Sequence, residues 1–226
     1  MASDRMEFPG ILARATETRR AAAEIRWARS ARLSGNEMLL AANGVGARRA
    51  AAAVDRTLKM FPADAVVSTG FCGALRPDFA IADVVVADSV TAGGRRFGTR
   101  PISAAADCRS GTVCSVDHIV RSAEEKARLA DSGASAVEME AAGVAERAAA
   151  YGLPFFCIKA VTDLRDETLA NDFNKALRDD GQFDTIVLLR GTLRQPLIRI
   201  RELFRLRERC VRAADTLGEF FASLRF

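Results

Sequence analysis

The chain carries one histidine, one tryptophan and one tyrosine, and none of its five cysteines stands in a CxxC spacing. His118 and the scattered Cys72, Cys108, Cys114, Cys157 and Cys210 cannot supply the closely spaced ligand set of a zinc cluster, and no metal is expected. An odd number of unpatterned thiols speaks against a disulfide framework and for a reduced, cytoplasmic setting. No apolar run reaches the roughly 18 residues of a membrane-spanning helix. The opening Met1-Ala2-Ser3-Asp4-Arg5 is too polar for a signal peptide. No self-similarity recurs at the roughly 20–50-residue periods of repeat proteins. Neither charge dominates. The balance of 33 basic against 29 acidic residues leaves +4, which reads as solvated helix faces and not as a nucleic-acid footprint.

What is there is 226 residues, 49% of them apolar, enough for one compact α/β domain over 1–226 with a well-buried core. Ile11, Leu12, Ala15, Ala22, Ile25 and Ala28 would share one face of a helix over 10–33. Gly35-Asn36 marks a turn before a short strand at 38–42. Asn43-Gly44-Val45-Gly46 then opens an alanine-rich helix over 47–60. A strand at 65–68 ends in Thr69-Gly70-Phe71-Cys72-Gly73-Ala74-Leu75, and another spans 83–89. Residues 91–107, rich in glycine and arginine, read as a mobile loop. A strand at 112–115 and a helix at 122–131 follow, the helix with Glu124 and Glu125 in its first turn, which suits its dipole. Alternating strands and helices predict a mainly parallel sheet covered on both faces. Residues 168–190 look irregular. From about 194 to 226 a basic amphipathic helical tail is expected, its apolar residues recurring every three or four positions from Leu197 to Leu224.

The richest stretch is 135–167. It reads as a strand ending in Glu138-Met139-Glu140, a helix to about Tyr151, and a buried strand over 154–162 followed by Asp163. Side chains two apart in extended chain face the same way, so Glu138 and Glu140 can share one side. A strand–helix–strand crossover is right-handed and sets its strands parallel. Carboxylates at the carboxyl ends of such strands stand where open α/β sheets bind ligands. Three acids are thus gathered at one candidate pocket. The Asn-Gly-Val-Gly turn alone is a common structural feature. Its functional reading is close backbone approach to an anion or a ribose at a helix N-terminus. The Thr69–Leu75 glycines, at a strand end, would let backbone amides meet a ligand.

Taken in order, the glycine turn, Thr69–Leu75, Val137-Glu138-Met139-Glu140-Ala141-Ala142 and Ala160-Val161-Thr162-Asp163 resemble the nucleoside phosphorylase and nucleosidase superfamily. Within it, they resemble particularly the methylthioadenosine/S-adenosylhomocysteine nucleosidases. The resemblance spans Leu39 to about Asp166, includes the strand at Ile81–Asp88, and is most specific at the Glu-Met-Glu motif. It implies a three-layer sandwich around a mixed, mainly parallel sheet, and cleavage of the N-glycosidic bond of a purine nucleoside. It further implies a homo-oligomer, and no cofactor beyond phosphate as a co-substrate in the phosphorylases. Glu140 would hold the ribose hydroxyls, Met139 would pack under the sugar, and Glu138 would support the site. Asp163, paired with Thr162, would give a proton to purine N7. The base pocket would be lined by 115–120, with Ile119 and Val120 as an aliphatic wall where the family often stacks an aromatic ring. Phe71, Cys72 and Gly73 would face the substrate, and His118 is read as structural or rim-lining.

The chemistry is consistent with those roles. Bond cleavage leaves an oxocarbenium-like ribose and an anionic base, so a proton for the purine lowers the barrier, typically by about 10²–10⁴-fold in rate. A carboxyl that must carry that proton needs burial and acidic neighbours to hold it. A carboxylate across the sugar hydroxyls orients the ribose and offsets its growing charge.

Two departures from the family pattern matter. The hydrophobic first strand is missing or badly shortened, which suggests a start codon upstream of Met1 and leaves Glu7 as the candidate activator of the attacking water. Phe71 also stands where phosphorylases place a phosphate-holding serine, and an apolar ring cannot donate a hydrogen bond. Water is therefore the expected nucleophile. A narrower resemblance, over Asp172–Arg212, is to the hopanoid-associated branch, which implies an adenosyl-triterpene lipid such as adenosylhopane as substrate. Between Arg190 and Phe226 nine arginines face four acids, a composition that suits an anionic membrane surface if the apolar stripe does not pack on the body or a second subunit. Cleavage of a 5′-substituted adenosine thus leads, with phosphate-dependent phosphorolysis and non-catalytic nucleoside binding as alternatives.

Overall fold

The computed structural model describes residues 1–193 and 195–225; the expected ends of the tail, Arg194 and Phe226, lie outside the described residues. Asp4 caps a single 3₁₀ turn (Arg5–Glu7) through a capping box in which Glu7 returns a bond to the Asp4 amide. Helix α1 (Pro9–Arg14) follows, with proline at its start. Next come β1 (Thr16–Arg20), β2 (Trp27–Leu33) and β3 (Asn36–Ala42), an antiparallel three-stranded sheet. The helix expected over 10–33 therefore holds only for its first turns. Ala31 and Leu33, two apart on β2, face inward, and Trp27 stacks on Phe8 at 5.1 Å, so period 2 wins over the partial 3.6-residue pattern. Ser34 and Gly35, with φ of +50° and +86°, make the two-residue turn that joins β2 to β3.

Residues 1–3 lie between β3 and the long strand β4 (Val66–Ala74). The Ala2 amide donates to Ala41 O at 3.0 Å, and the Thr69 amide donates to Met1 O at 2.8 Å. The first strand is thus reduced to one parallel bridge, Ala2 to Ala42. It stitches the small sheet to the main one. A cavity of about 610 Å³, lined in part by Leu39, Leu40, Val66 and Val67, opens where the two strands are not so bridged.

The main sheet also contains β5 (Val84–Ala92), β6 (Arg95–Gly98), β8 (Arg109–Ser115), β9 (Ala134–Glu138) and β10 (Phe155–Asp163). Its order is β10-β4-β9-β8-β5-β6, and β5 also pairs with β10, which curls the strands toward closure. Pairs β10–β4, β5–β8 and β8–β9 are parallel; β4–β9, β5–β6 and β5–β10 are antiparallel. On one face lie α2 (Ala47–Met60) and α4 (Ala141–Ala150). Alanines of α4 and a glycine permit close approach: a Cβ on Gly143 would sit 2.0 Å from Ala47 O. On the other face α1 and α7 (Pro196–Ser223) cover a second apolar cluster containing Phe8, Ile158, Leu217 and Phe220. Helix α3 (Ala123–Asp131), capped by Ser122, stands beside β9.

Three further expectations are corrected. The strand expected at 65–68 runs on through the Thr69–Ala74 glycine segment, which is the second half of β4 and pairs with β10 up to an irregularity at Gly73. The supposed loop at 91–107 contains the β5–β6 hairpin, turned by Gly93 and Gly94 at positive φ, and β7 (Ser103–Ala104), which pairs with β11 (Leu224–Arg225). Residues 168–190 hold α5 (Phe173–Ala176) and the start of α6 (Thr185–Thr192), whose N-caps are Asp172 and Asp184. The tail is helical as expected, but its two halves differ. Ala213, Ala214, Leu217, Phe220 and Phe221 are buried against the body, whereas Leu197, Ile198, Ile200 and Phe204 are exposed.

Candidate active site

Glu138 ends β9 and Glu140 precedes the first turn of α4, so the Glu-Met-Glu motif sits at a strand-to-helix junction. There the first amides of α4 lack partners within the helix. Glu138 supplies them: its carboxylate accepts from the Glu140 amide at 2.9 Å and from the Ala141 amide at 2.9 Å. It also pairs with Lys159 Nζ at 2.8 Å and is wholly buried. Glu138 is committed to the protein.

Glu140 turns the other way. The Gly46 amide, at the N-terminus of α2 and with Gly46 at φ +109°, donates to Glu140 Oε1 at 3.0 Å. The anion held by the glycine turn is therefore the protein's own carboxylate. Burial, then the charges of Glu138 and Glu7, push Glu140 up to about 8, against the opposing pull of Lys159 at 3.9 Å. Lys159 itself is fully buried on β10 and also donates to Thr69 O at 3.0 Å. Burial opposes its charge, but Glu138 and Glu140 more than offset this and hold the ammonium above its ordinary range.

Two glycines of β4 seat two further carboxylates. A Cβ on Gly70, whose φ is +117°, would fall 1.6 Å from Glu7 Oε2. Glu7 is thus brought over the strand, buried, with Ser3 Oγ donating to it; burial raises its pKa while Lys159 opposes. At Gly73 a Cβ would stand 2.8 Å from Asp163 Oδ2. The glycines make room for side chains of this chain, and only through them for a ligand. Cys210 of α7 lies near both acids: burial, then the charges of Glu7 and Asp163, raise its thiol to about 12. Glu7 and Asp163 thus both approach β4, one at Gly70 and one at Gly73.

Asp163 differs from expectation in its neighbour. The group against its carboxylate is not an acid but Lys126 of α3, which is fully buried and also donates to Leu164 O at 2.6 Å. Thr162 Oγ1 donates to Asp163 Oδ1 at 3.2 Å and lies 3.4 Å from Cys72 O. Past the site the chain is held by Arg209, which pairs with Glu167 at 2.7 Å; burial works against it, yet Arg209 keeps Glu167 down to about 2.

The remaining expected residues are less direct. Met139, Val120 and Thr162 are nearly buried. Phe71 packs half-buried against the apolar cluster beneath α7, and Cys72 is buried in the one beneath α2 and α4. Ile119 has both backbone polar groups held by the Asn174 side chain at 2.8 Å. His118 lies outside the acid cluster, between Asp117 at 2.9 Å and Glu125 at 2.6 Å, and these two raise its pKa. Among the described residues no group of three histidine, cysteine or acidic side chains could hold a metal. Lys159 and Lys126 were not anticipated. A lysine inside the apolar run Phe-Phe-Cys-Ile-Lys-Ala-Val was a legible signal; Lys126, next to Glu124-Glu125 on a helix, looks like any solvated charge.

Fold and candidate site together define a mixed-sheet α/β protein with a set of carboxylates at strand ends, each backed by a glycine, a helix N-terminus or a buried lysine. The chain belongs to the phosphorylase superfamily, whose family model matches residues 12–107 and 98–190. It is 27% identical over 206 residues to a 5′-methylthioadenosine/S-adenosylhomocysteine nucleosidase of Haemophilus influenzae, covering 78% of this chain and 88% of that one. Over 189 residues it is 26% identical to the corresponding Aeromonas salmonicida protein, covering 70% and 82%. The fold matches that of the Neisseria meningitidis nucleosidase solved with methylthio-immucillin-A, with a TM-score of 0.71, 22% identity, and 99% and 97% of the two chains covered. It also matches Helicobacter pylori futalosine hydrolase, with a TM-score of 0.66, 18% identity, and 97% and 94% covered.

Proposed function

We infer that this protein hydrolyses the N-glycosidic bond of a 5′-substituted adenosine and releases adenine. The observation that carries this is the seating of two carboxyls on one strand, Glu7 at Gly70 and Asp163 at Gly73. Three residues of extended strand separate the two glycines by roughly 10 Å. Inverting glycosidases likewise use two carboxyls, one on the leaving group and one on the attacking water. Asp163 gives its proton to N7 as the C1′–N9 bond breaks and its electron pair moves into the purine. Water adds to C1′ and yields its proton to Glu7, while Glu140 holds the ribose hydroxyls. No cofactor enters.

Water is favoured over phosphate because the turn before α2 has no spare donors. The amides of Gly44, Val45 and Gly46 go to Ser3 O at 2.9 Å, Gly181 O at 2.9 Å and Glu140 at 3.0 Å. Phe71 adds no hydroxyl. The test is adenine release from methylthioadenosine, S-adenosylhomocysteine and a lipophilic 5′-adenosyl compound, with and without phosphate. Equal release in both conditions is expected. A requirement for phosphate would make the protein a phosphorylase, and tight binding without release would make it a nucleoside-binding protein.

For the finer reading, a lipophilic 5′ substituent drawn from a membrane, the support is the face formed by α6 and the first half of α7. Leu189, Leu193, Leu197 and Ile198 are exposed there, close in sequence to Arg190, Arg199, Arg201 and Arg205. None of the helices among the described residues is long and apolar enough to cross a membrane, so contact would be peripheral. Co-sedimentation with vesicles is expected to rise with their anionic lipid content. Binding that ignores lipid charge, or a stable homodimer that covers the face, would assign it to a second subunit instead.

A further inference from the structure

Two of the four lysines in the chain, Lys126 and Lys159, are completely buried, while the 29 arginines stay mainly at the surface. Taking an ammonium out of water costs several kcal/mol unless its partners are well placed. Lys159 meets that cost at the sugar-binding acids. Lys126 meets it at the other end, on Asp163 Oδ2 and Leu164 O. It is the one fully buried residue of α3, whose Leu129 and Ala130 are half-buried against the apolar cluster of Leu75, Val120, Ala134 and Val137. The helix is anchored independently of the lysine. The Ala123 amide donates to Thr168 Oγ1 at 3.1 Å, the Leu169 amide to Arg121 O at 2.8 Å, and the Glu125 amide to the Ser122 cap at 3.1 Å. These bonds pin α3 to the segment that follows Asp163, so Lys126 Nζ is delivered to the carboxylate by a fixed support. Gly73 clears the space on the other side, where any Cβ would press on the same Oδ2.

Resting on the proposed hydrolysis, we propose that Lys126 is the positioning residue of the leaving-group end. It fixes Asp163 against Gly73 and stabilises the carboxylate left when the proton has gone to the purine. Such an interaction strengthens as the base departs, so it acts on the bond-breaking step and not on substrate binding. An ammonium suits the task better than a guanidinium, because a compact point charge can sit on one oxygen and leave the other to Thr162 and the substrate.

The test is Lys126→Met, which keeps the stem and removes the charge. Its fold is compared with that of the wild type by circular dichroism. With methylthioadenosine, kcat is expected to fall roughly 10²-fold while KM changes little. With the p-nitrophenyl glycoside of 5-methylthioribose, whose leaving group departs without a proton, the loss is expected to stay within a few-fold. Equal losses on both substrates would overturn the proposal and leave Lys126 a structural residue. Should the single variant not fold, or the wild type not turn over the nitrophenyl substrate, Asp163→Asn/Lys126→Met is compared with Asp163→Asn. If Lys126 acts through Asp163 the two have equal activity; a further loss of tenfold or more in the double variant would refute it. A wild type that releases no adenine at all would instead overturn the hydrolase reading.

Discussion

Asp163→Asn is expected to keep its fold and to lower adenine release by about 10²–10⁴-fold, the usual contribution of a positioned general acid. The amide preserves shape. Its oxygen can still accept from Lys126, so the buried ammonium is not stranded as it would be by alanine. What is lost is the transferable proton alone. Steady-state release of adenine from methylthioadenosine, followed beside an unfolding curve, separates this from instability. Full activity in a folded Asp163→Asn protein would remove Asp163 from the chemistry, and the leaving purine would need another proton source.

The second large effect concerns stability. Lys159→Met leaves Glu138, Glu140 and Glu7 buried without the cation that faces all three. Breaking a buried pair by removing one partner costs about 3–5 kcal/mol, since the remaining charge must be neutralised or rehydrated. Glu138 is the most affected, because it also caps α4 and cannot turn away to water. Urea unfolding at neutral pH should therefore show a midpoint well below that of the wild type. Loss of adenine release should accompany it even where the protein remains folded. A change under about 1 kcal/mol, the ordinary size of a mutational effect, would mean that the glutamates are neutral in the native protein and that Lys159 pairs only with Thr69 O.

The helices at 47–60 and 122–131 and the strand pattern around Glu138 and Asp163 were legible because each depends on local signals: glycine or serine at a start, alternating or continuous apolar runs, an acid at a strand end. The region 10–33 misled because three- and four-residue spacing occurs by chance in an alanine-rich segment. Its true pairing, β2 on β3, is between strands whose partner choice depends on the Ser34-Gly35 turn and on Phe8 under Trp27. Residues 69–74 misled differently. Glycines there marked the strand's end, whereas the strand continues through them and passes beneath two carboxylates.

By itself the sequence determined which acids gather at strand ends and to which superfamily the order of motifs belongs, since these rest on residue type and spacing along the chain. Tertiary structure alone decided what each acid touches. It placed Glu140 on the Gly46 amide, Glu7 over Gly70, and a buried lysine behind each end of the site. Those contacts join residues between 21 and 94 positions apart for the named pairs at Lys126, Lys159, Gly46 and Gly70. No local propensity encodes them, because burial and charge pairing are settled only when the layers close on one another.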